Sequence, residues 1–170
     1  RIFLIYDYYF KNTDGLLYQV DLPYTSGFSS IMSNVGEFHF WGHEFTLQTK
    51  NLIGSFKWNT DFNISFDRNK AVKLGTNNSP IGGYNNQNDY NRTAVGHQIG
   101  LFYGYVFDGV YMTPEELESQ PKHETSEVGT ARMKDINNDG KIDVSDRTFI
   151  GNPNPDFLFG ITNTFKWRNF

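Results

Sequence analysis

The sequence contains no cysteine, and this absence excludes both a disulfide framework and thiol chemistry. It also contains no apolar run near the roughly 18 residues that a membrane-spanning helix needs, so no transmembrane helix is predicted. Basic residues are slightly outnumbered, with 15 Lys and Arg against 19 Asp and Glu, and the two signs are interspersed. Without a basic stripe that could neutralise phosphates, nucleic acid is not an expected partner.

Aromatic residues, in contrast, are abundant at 17% of the chain, and this bias favours β-strands over helices. Residues 98–111 predict a strand with a bend at Asp108-Gly109. The sequence Thr113-Pro114-Glu115-Glu116 then offers an N-cap, a proline at the first helical position and a glutamate three residues after the cap. One short helix is therefore predicted near residues 114–120.

Residues 55–67 alternate strictly between apolar and polar side chains, which is the period of a β-strand. Alternation fits both a membrane barrel wall and a soluble sandwich strand, but the length favours the barrel. Residues 56–66, tilted by about 45°, span roughly 25 Å, the height of a barrel's apolar band, whereas soluble strands mostly have about 5–6 residues. One face carries Phe56, Trp58, Thr60, Phe62, Ile64 and Phe66.

Residues 1–11, 41–49 and 157–167 alternate in the same way and are the other predicted membrane strands. Just upstream of residue 41 the alternation shifts by one position, because Phe38 and Phe40 are even-numbered whereas Trp41, His43, Phe45 and Leu47 are odd-numbered. This change predicts a β-bulge near Gly42.

The connections between these strands are unequal. Residues 50–54 form a short turn, whereas residues 12–36 and 68–156 form long connections. Alternate connections of an up-and-down barrel lie on opposite sides of the membrane, so the two long ones are predicted to be extracellular loops. The predicted fold is all-β: antiparallel strands of a partial transmembrane β-barrel, with long extracellular loops and one short helix in the larger loop.

Three stretches carry a family resemblance: GFSSIMSNVGEFHFWGHEFTL, GHQIGLFYGYVFDGVY and ARMKDINNDGKIDVSDRTFIGNPNPDFLFGITNTFKW. Together they resemble the C-terminal barrel region of the SusC/RagA family of TonB-dependent receptors. The resemblance covers nearly the whole chain and is weakest between residues 75 and 95.

The resemblance implies an importer of glycan or peptide nutrients in the bacterial outer membrane. Within such an importer, this chain would supply barrel wall in contact with lipid and part of the extracellular rim, beneath a SusD-like surface lipoprotein. TonB would act through a plug domain, and the sequence shows neither a plug, a TonB box nor a terminal barrel strand, so transport is not expected of this chain alone. The alternative is a soluble β-rich, calcium-stabilised surface module that binds glycans.

An Asp-rich loop matches the spacing of a twelve-residue calcium loop. Oxygen-bearing side chains stand at positions 1, 3, 5, 9 and 12, glycine stands at position 6, and a backbone carbonyl is expected at position 7. A structural Ca²⁺ site is therefore predicted, and the alternative is a turn held by its own side-chain to backbone hydrogen bonds. The candidate ligands are Asp135, Asn137, Asp139, Lys141, Asp143 and Asp146.

Four aromatic residues of the larger loop are candidates for contact with a ligand or with the lipoprotein: Phe102, Tyr103, Tyr105 and Tyr111. The alternative is that they form the core of the loop itself. His39 and His43 lie roughly 13 Å apart on a strand, too far to share zinc. No nucleophile-elbow motif surrounds any serine, and paired carboxylates occur only in the Asp-rich loop, so no enzyme activity is expected.

Overall fold

The computed structural model describes residues 1–21, 27, 30–75, 77–85 and 88–168. These residues divide into two compact units. The sheet unit comprises Arg1–Ser79, Ala94–Gln98 and Asn154–Phe170, and the loop unit comprises Pro80–Thr93 and Ile99–Pro153. Within the described ranges, no helix has the length and apolar character needed to cross a membrane.

The elements are given in chain order. The strands are β1 (Ile2–Asp21), β2 (Ser30–Ile53), β3 (Phe56–Leu74), β4 (Ile81–Asn85), β5 (Asn88–Thr93), β6 (Leu101–Gly104), β7 (Phe107–Val110), β8 (Ala131–Met133), β9 (Thr148–Gly151) and β10 (Leu158–Trp167). Helix α1 (Pro114–Ser119) lies between β7 and β8, and a short 3-10 helix, Val144–Asp146, lies between β8 and β9. The mostly antiparallel β architecture with one short helix confirms the predicted fold class.

The sheet unit is one antiparallel sheet in the order β1-β2-β3-β10. Its register sets Leu4 opposite Leu47, and it sets both Leu47 and Ile161 opposite Phe62. Directly opposed residues in an antiparallel sheet point to the same side, so the four alternating runs share one face. We call this the apolar face, and it includes Ile2, Leu4, Tyr6, Tyr8, Phe10, Trp41, His43, Phe45, Leu47, Phe56, Trp58, Phe62, Ile64, Phe66, Phe159, Ile161, Phe165 and Trp167.

The strands extend farther than the alternating runs, into residues that were predicted to be connections. β1 continues to Asp21 and β2 begins at Ser30, which turns much of residues 12–36 into strand. β3 continues to Leu74, and the rest of 68–156 contains the strands of the loop unit. The backbone ladder persists after the apolar alternation ends, and alternation was the signal that set the bounds of the predicted strands. Residues 22–26 and 28–29 lie outside the described residues.

The bulge predicted near Gly42 is also wrong. The register runs without a shift through Gly42 in both of its pairings. The irregularities of these pairings lie at Asp14/Leu16, Leu16/Leu17, Glu37/Phe38 and Lys50/Leu52. Gly42 instead leaves room for a side chain that crosses it. Tyr9 lies over the glycine and donates its hydroxyl proton to Asp67 Oδ1 at 2.7 Å, and a Cβ on Gly42 would stand 2.5 Å from the Tyr9 ring.

The buried apolar residues described in the sheet unit are Phe38, Ala71 and Leu74. Phe38 lies opposite Ala71 in the register. The Ala71 N–H donates to the carbonyl of His97, and the Gly96 N–H donates to the carbonyl of Ala71. The segment Ala94–Gln98 therefore covers this end of β3.

The loop unit contains a sheet in the order β4-β5-β6-β9 and a separate pair, β7-β8. The strand predicted over residues 98–111 is divided between these two sheets, so that prediction is wrong in its continuity. The helix prediction is confirmed: Thr113 Oγ1 accepts from the Glu116 N–H at 3.2 Å, and Glu116 Oε2 accepts from the Met112 N–H at 2.9 Å. The first bond satisfies a donor that the first turn leaves unpaired, and the second ties the residue before the N-cap to the helix.

Candidate functional site

The apolar face is the first candidate site, because it is continuous across four strands and exposed. Leu4 is 65% exposed on β1, and Phe159 and Ile161 are 63% and 60% exposed on β10. Exposed apolar patches on soluble monomers rarely exceed a few hundred Å². A face of this kind fits contact with hydrocarbon.

Aromatic rings cluster towards both ends of this face. At the end beside the β2–β3 turn, the Phe165 ring lies 6.0 Å from Phe56 and 5.8 Å from Trp58. At the other end, the Phe157 ring lies 6.2 Å from Phe66 and 6.1 Å from Phe159. Two aromatic bands that flank an apolar belt are typical of the two interfaces of a membrane barrel.

The apolar face also includes one hydrogen-bonded polar pair near the β2–β3 turn. Thr60 and Asn163 are register partners, and Thr60 Oγ1 donates to Asn163 Oδ1 at 2.7 Å. Trp58 Nε1 donates to the same oxygen at 3.0 Å, and Asn51 Nδ2 donates to Thr60 Oγ1 at 2.8 Å. These bonds lower the cost of polar groups on such a face. The alternation pattern included Thr60, but it missed Asn163 as its partner.

The opposite face of the sheet is mainly polar. On β3 it carries Lys57, Asn59, Asp61, Asn63, Ser65 and Asp67, and the register adds Glu44, Thr46 and Gln48 from β2. Phe3 and Ile5 on β1 depart from this rule. A mainly polar surface of this width fits contact with water.

The two histidines of β2 have separate partners. His39 Nε2 lies 3.2 Å from Glu37 Oε1, and His43 Nδ1 lies 2.9 Å from the Tyr6 hydroxyl. Among the residues that the structure describes, no group of three or more His, Cys, Asp or Glu side chains is arranged to hold a metal. The histidines are therefore parts of the sheet surface in this arrangement.

The Asp-rich loop is held by hydrogen bonds from its own backbone. Asp135 Oδ1 accepts from the Asn138 N–H at 2.6 Å, and Asp135 Oδ2 accepts from the Gly140 N–H at 2.8 Å. Asp139 Oδ1 accepts from the Lys141 N–H at 2.9 Å. Asn138 and Gly140 adopt positive φ, 60° and 82°, which turns the backbone around the Asp135 carboxylate.

Asp146 closes this loop from its far end and is fully buried. Its Oδ1 accepts from the Ile136 N–H, and its Oδ2 accepts from the Asp143 N–H, each at 2.9 Å. The Asp143 N–H is the largest cause that holds the pKa of Asp146 below its ordinary value; burial opposes it, and the N–H groups of Ile136 and Asn137 add to it. The carboxylate is therefore ionised at neutral pH.

These contacts match the alternative of a turn that stabilises itself. The carboxylates keep further acceptor sites, since an ionised carboxylate offers about four and each backbone N–H uses one of them. Asp143 Oδ1 is also engaged, because it accepts from the Ser145 N–H at 2.7 Å. Calcium binding by the loop stays a prediction.

The four candidate aromatics of the loop unit differ in exposure. Phe102 is 46% exposed, whereas Tyr111 is 1% exposed and donates its hydroxyl proton to the Pro121 carbonyl. The Tyr103 ring packs edge-on against Phe149 at 5.6 Å, and the guanidinium of Arg92 lies 3.7 Å from its centre. Tyr111 thus belongs to the interior of the loop unit, and Phe102 is the more accessible of the two.

Comparison with known proteins gives strong sequence similarity over the whole chain. It is 35% identical to TonB-dependent receptor P3 of Formosa agariphila, over 100% of this chain and 18% of that protein. It is 33% identical to TonB-dependent receptor P26 of the same organism, over 99% of this chain and 17% of that protein. TonB-dependent receptor SusC of Bacteroides thetaiotaomicron is 28% identical, over 96% and 16%. The chain thus spans 16 to 18% of the length of these curated relatives.

Solved structures agree in fold. The structure of the RagAB peptide transporter superposes with a TM-score of 0.67 at 19% identity, over 99% of this chain and 17% of that one. The RagAB peptide importer in its closed-closed state gives a TM-score of 0.68, also at 19% identity, over 98% and 18%. No family model matches the chain. The matched proteins are receptors and importers, which are not enzymes.

Proposed function

Since the chain corresponds to a segment of a SusC/RagA-type TonB-dependent receptor, we propose that it forms wall and extracellular rim of an outer-membrane importer of glycan or peptide nutrients. Receptors of this type reside in the bacterial outer membrane, the location predicted from the sequence. The observation that carries the proposal is the single apolar face, continuous across β1, β2, β3 and β10.

In the proposed arrangement, the apolar face contacts lipid and the polar face lines a wet interior. The support is the division of the β3 side chains, with Phe62 and Ile64 on one face and Asp61 and Asn63 on the other. Hydrocarbon tolerates unpaired backbone groups poorly, so the sheet must be completed by neighbouring strands of a closed barrel. A buried sandwich face would need a second layer over Phe159 and Ile161, and both are well over half exposed.

The loop unit is proposed to lie on the extracellular side. β2 and β3 are joined by a short turn at residues 54–55, whereas β3 and β10 are joined through the whole loop unit. Outer-membrane barrels have short periplasmic turns and longer extracellular loops. The aromatic pairs at both ends of the face support a crossing between these two sides.

The proposed partners are a SusD-like surface lipoprotein above the loop unit and TonB, which acts through a plug region elsewhere in the receptor. The likeness to RagAB supports both a second component and a peptide substrate, since RagAB is described as a peptide importer. The similarity to SusC supports the same class of receptor. The nutrient class is therefore proposed as glycan or peptide.

Cysteine labelling of the full-length receptor on intact cells tests this topology. The chain has no cysteine of its own, so single cysteines can be placed at Glu124 in the loop unit and at Gly54 in the short turn, with any cysteine elsewhere in the receptor replaced. A membrane-impermeant maleimide should label Glu124→Cys on intact cells and Gly54→Cys only after permeabilisation. The reverse pattern, or equal labelling of both, would contradict the proposed crossing.

A further inference from the structure

We propose that a cavity in the loop unit binds a neutral sugar. The cavity has a volume of about 370 Å³ and lies among residues that follow β6 and surround β8. Ligand sites generally have volumes of about 300–1,000 Å³. Of the two nutrient classes in the proposed function, glycan and peptide, this cavity is assigned to glycan. The assignment rests on the proposed function in one respect, that the loop unit lies on the extracellular side.

The floor of the cavity is apolar and fixed. Tyr105, Met133 and Ile142 line it, and Ile142 is 5% exposed. Tyr111 also lines it, and its backbone N–H donates to the Thr130 carbonyl while its own carbonyl accepts from the Gly129 N–H. The floor is therefore tied by backbone hydrogen bonds to the segment that supplies the polar lining of the cavity.

That segment forms a hydroxyl-rich rim. His123, Thr125, Ser126 and Thr130 line the cavity from this side. The Ser126 N–H donates to the His123 carbonyl at 3.0 Å, and the Thr130 N–H donates to the Glu127 carbonyl at 3.0 Å, so two successive turns hold the rim. His123 Nδ1 lies 2.9 Å from Thr125 Oγ1. A hydroxyl has one donor and two acceptor sites. Ser126 Oγ accepts from the His123 N–H at 3.2 Å and keeps its own donor for a ligand. Thr130 Oγ1 accepts from the Glu127 N–H at 3.2 Å and donates to the Glu127 carbonyl at 2.8 Å, so it keeps one acceptor site.

The chemistry of the lining favours a sugar over a peptide. None of the described residues that line the cavity is Asp, Glu, Lys or Arg, so the charged termini of a short peptide would lose water without gaining a carboxylate, ammonium or guanidinium partner. A neutral sugar offers hydroxyl groups to the rim and an apolar C–H surface to the Tyr105 ring. Aromatic rings bury apolar surface at low conformational cost, and hydroxyl partners give the orientation.

The test uses the full-length receptor in detergent and isothermal titration with cellobiose, laminaribiose and mannobiose, with trialanine as the peptide probe. At least one disaccharide should bind, and the affinity should fall at least tenfold in Tyr105→Ala and in Met133→Trp, which fills the cavity. Thr125→Val changes an exposed rim hydroxyl without disturbing the floor and should also weaken binding. Tyr90→Ala, at an exposed aromatic of the same unit that does not line the cavity, is the matched control and should bind like the wild type.

Three outcomes would overturn the site: no disaccharide binds, the three cavity variants bind like the wild type, or trialanine is the probe whose binding they weaken. Heat-modifiable migration on gels establishes that each variant is folded. The titration in detergent does not depend on membrane topology, so its failure and the failure of the labelling experiment are separate results.

Discussion

Substitution of Phe62 by lysine tests which face of the sheet meets hydrocarbon. Phe62 lies between Leu47 on β2 and Ile161 on β10, and Leu47 in turn lies opposite Leu4 on β1. With a rise of about 3.4 Å per residue and a tilt of about 45°, Phe62 is about 10 Å from the level of Phe66 and about 14 Å from that of Phe56. It therefore lies near the middle of the apolar belt.

A lysine at the midplane of a membrane barrel costs about 2–4 kcal/mol when it faces lipid. This corresponds to a decrease of roughly 30- to 700-fold in the folding equilibrium constant. The adjacent Asn63 points to the polar face, so Asn63→Lys keeps its charge in water and should change the free energy of unfolding by less than about 0.5 kcal/mol. The two variants introduce the same residue at adjacent positions of β3, and their side chains point to opposite faces of the sheet.

The measurement is the denaturant dependence of unfolding of the full-length receptor in lipid vesicles, followed by intrinsic fluorescence and by heat-modifiable migration on gels. Phe62→Lys should move the midpoint to lower denaturant, and Asn63→Lys should not. Equal costs would show that both sides of β3 meet the same medium. A larger cost for Asn63→Lys would reverse the assignment of the two faces and refute the reasoning.

Three further predictions concern single sites. Gly42→Val should destabilise the sheet by about 1–3 kcal/mol in the same unfolding assay, because the new side chain displaces Tyr9 from Asp67. Gly54→Ala is the control and should be neutral, because nothing lies within 4 Å of its new Cβ. Asp146→Asn should cost about 1–3 kcal/mol, because an amide cannot accept from two backbone N–H groups on its two sides, and hydrogen exchange of the loop amides should speed up. Titration with Ca²⁺ should give heat with the wild type and less with Asp139→Ala, and equal negligible heats would remove the calcium site.

Local pattern made the long strands of the sheet unit and the helix predictable. The apolar face follows from the period of two in residues 55–67, because side chains of a strand alternate between faces whatever the strand packs against. The short helix follows from Thr113, Pro114 and Glu116, whose capping contacts are made within four residues of chain. Both signals are short-range, so no knowledge of distant residues was needed.

Contacts between distant residues were not predictable in the same way. The role of Gly42 depends on Tyr9 and Asp67, which are 58 positions apart in sequence and meet only through the register of three strands. The phase change at Phe40 suggested a bulge, although the ladder there is regular. The pairing of Thr60 with Asn163 depends in the same way on β10 returning beside β3.

The sequence alone therefore determined the strand faces, the helix and the spacing of the Asp-rich loop, since these depend on periodicity and on contacts a few residues apart. Only the tertiary structure decided how far each strand continues, that Tyr111 is buried while Phe102 is exposed, and that a cavity forms beside β8. The physical reason is that register, burial and cavities depend on which distant segments of the chain come into contact. A local sequence pattern does not specify those contacts.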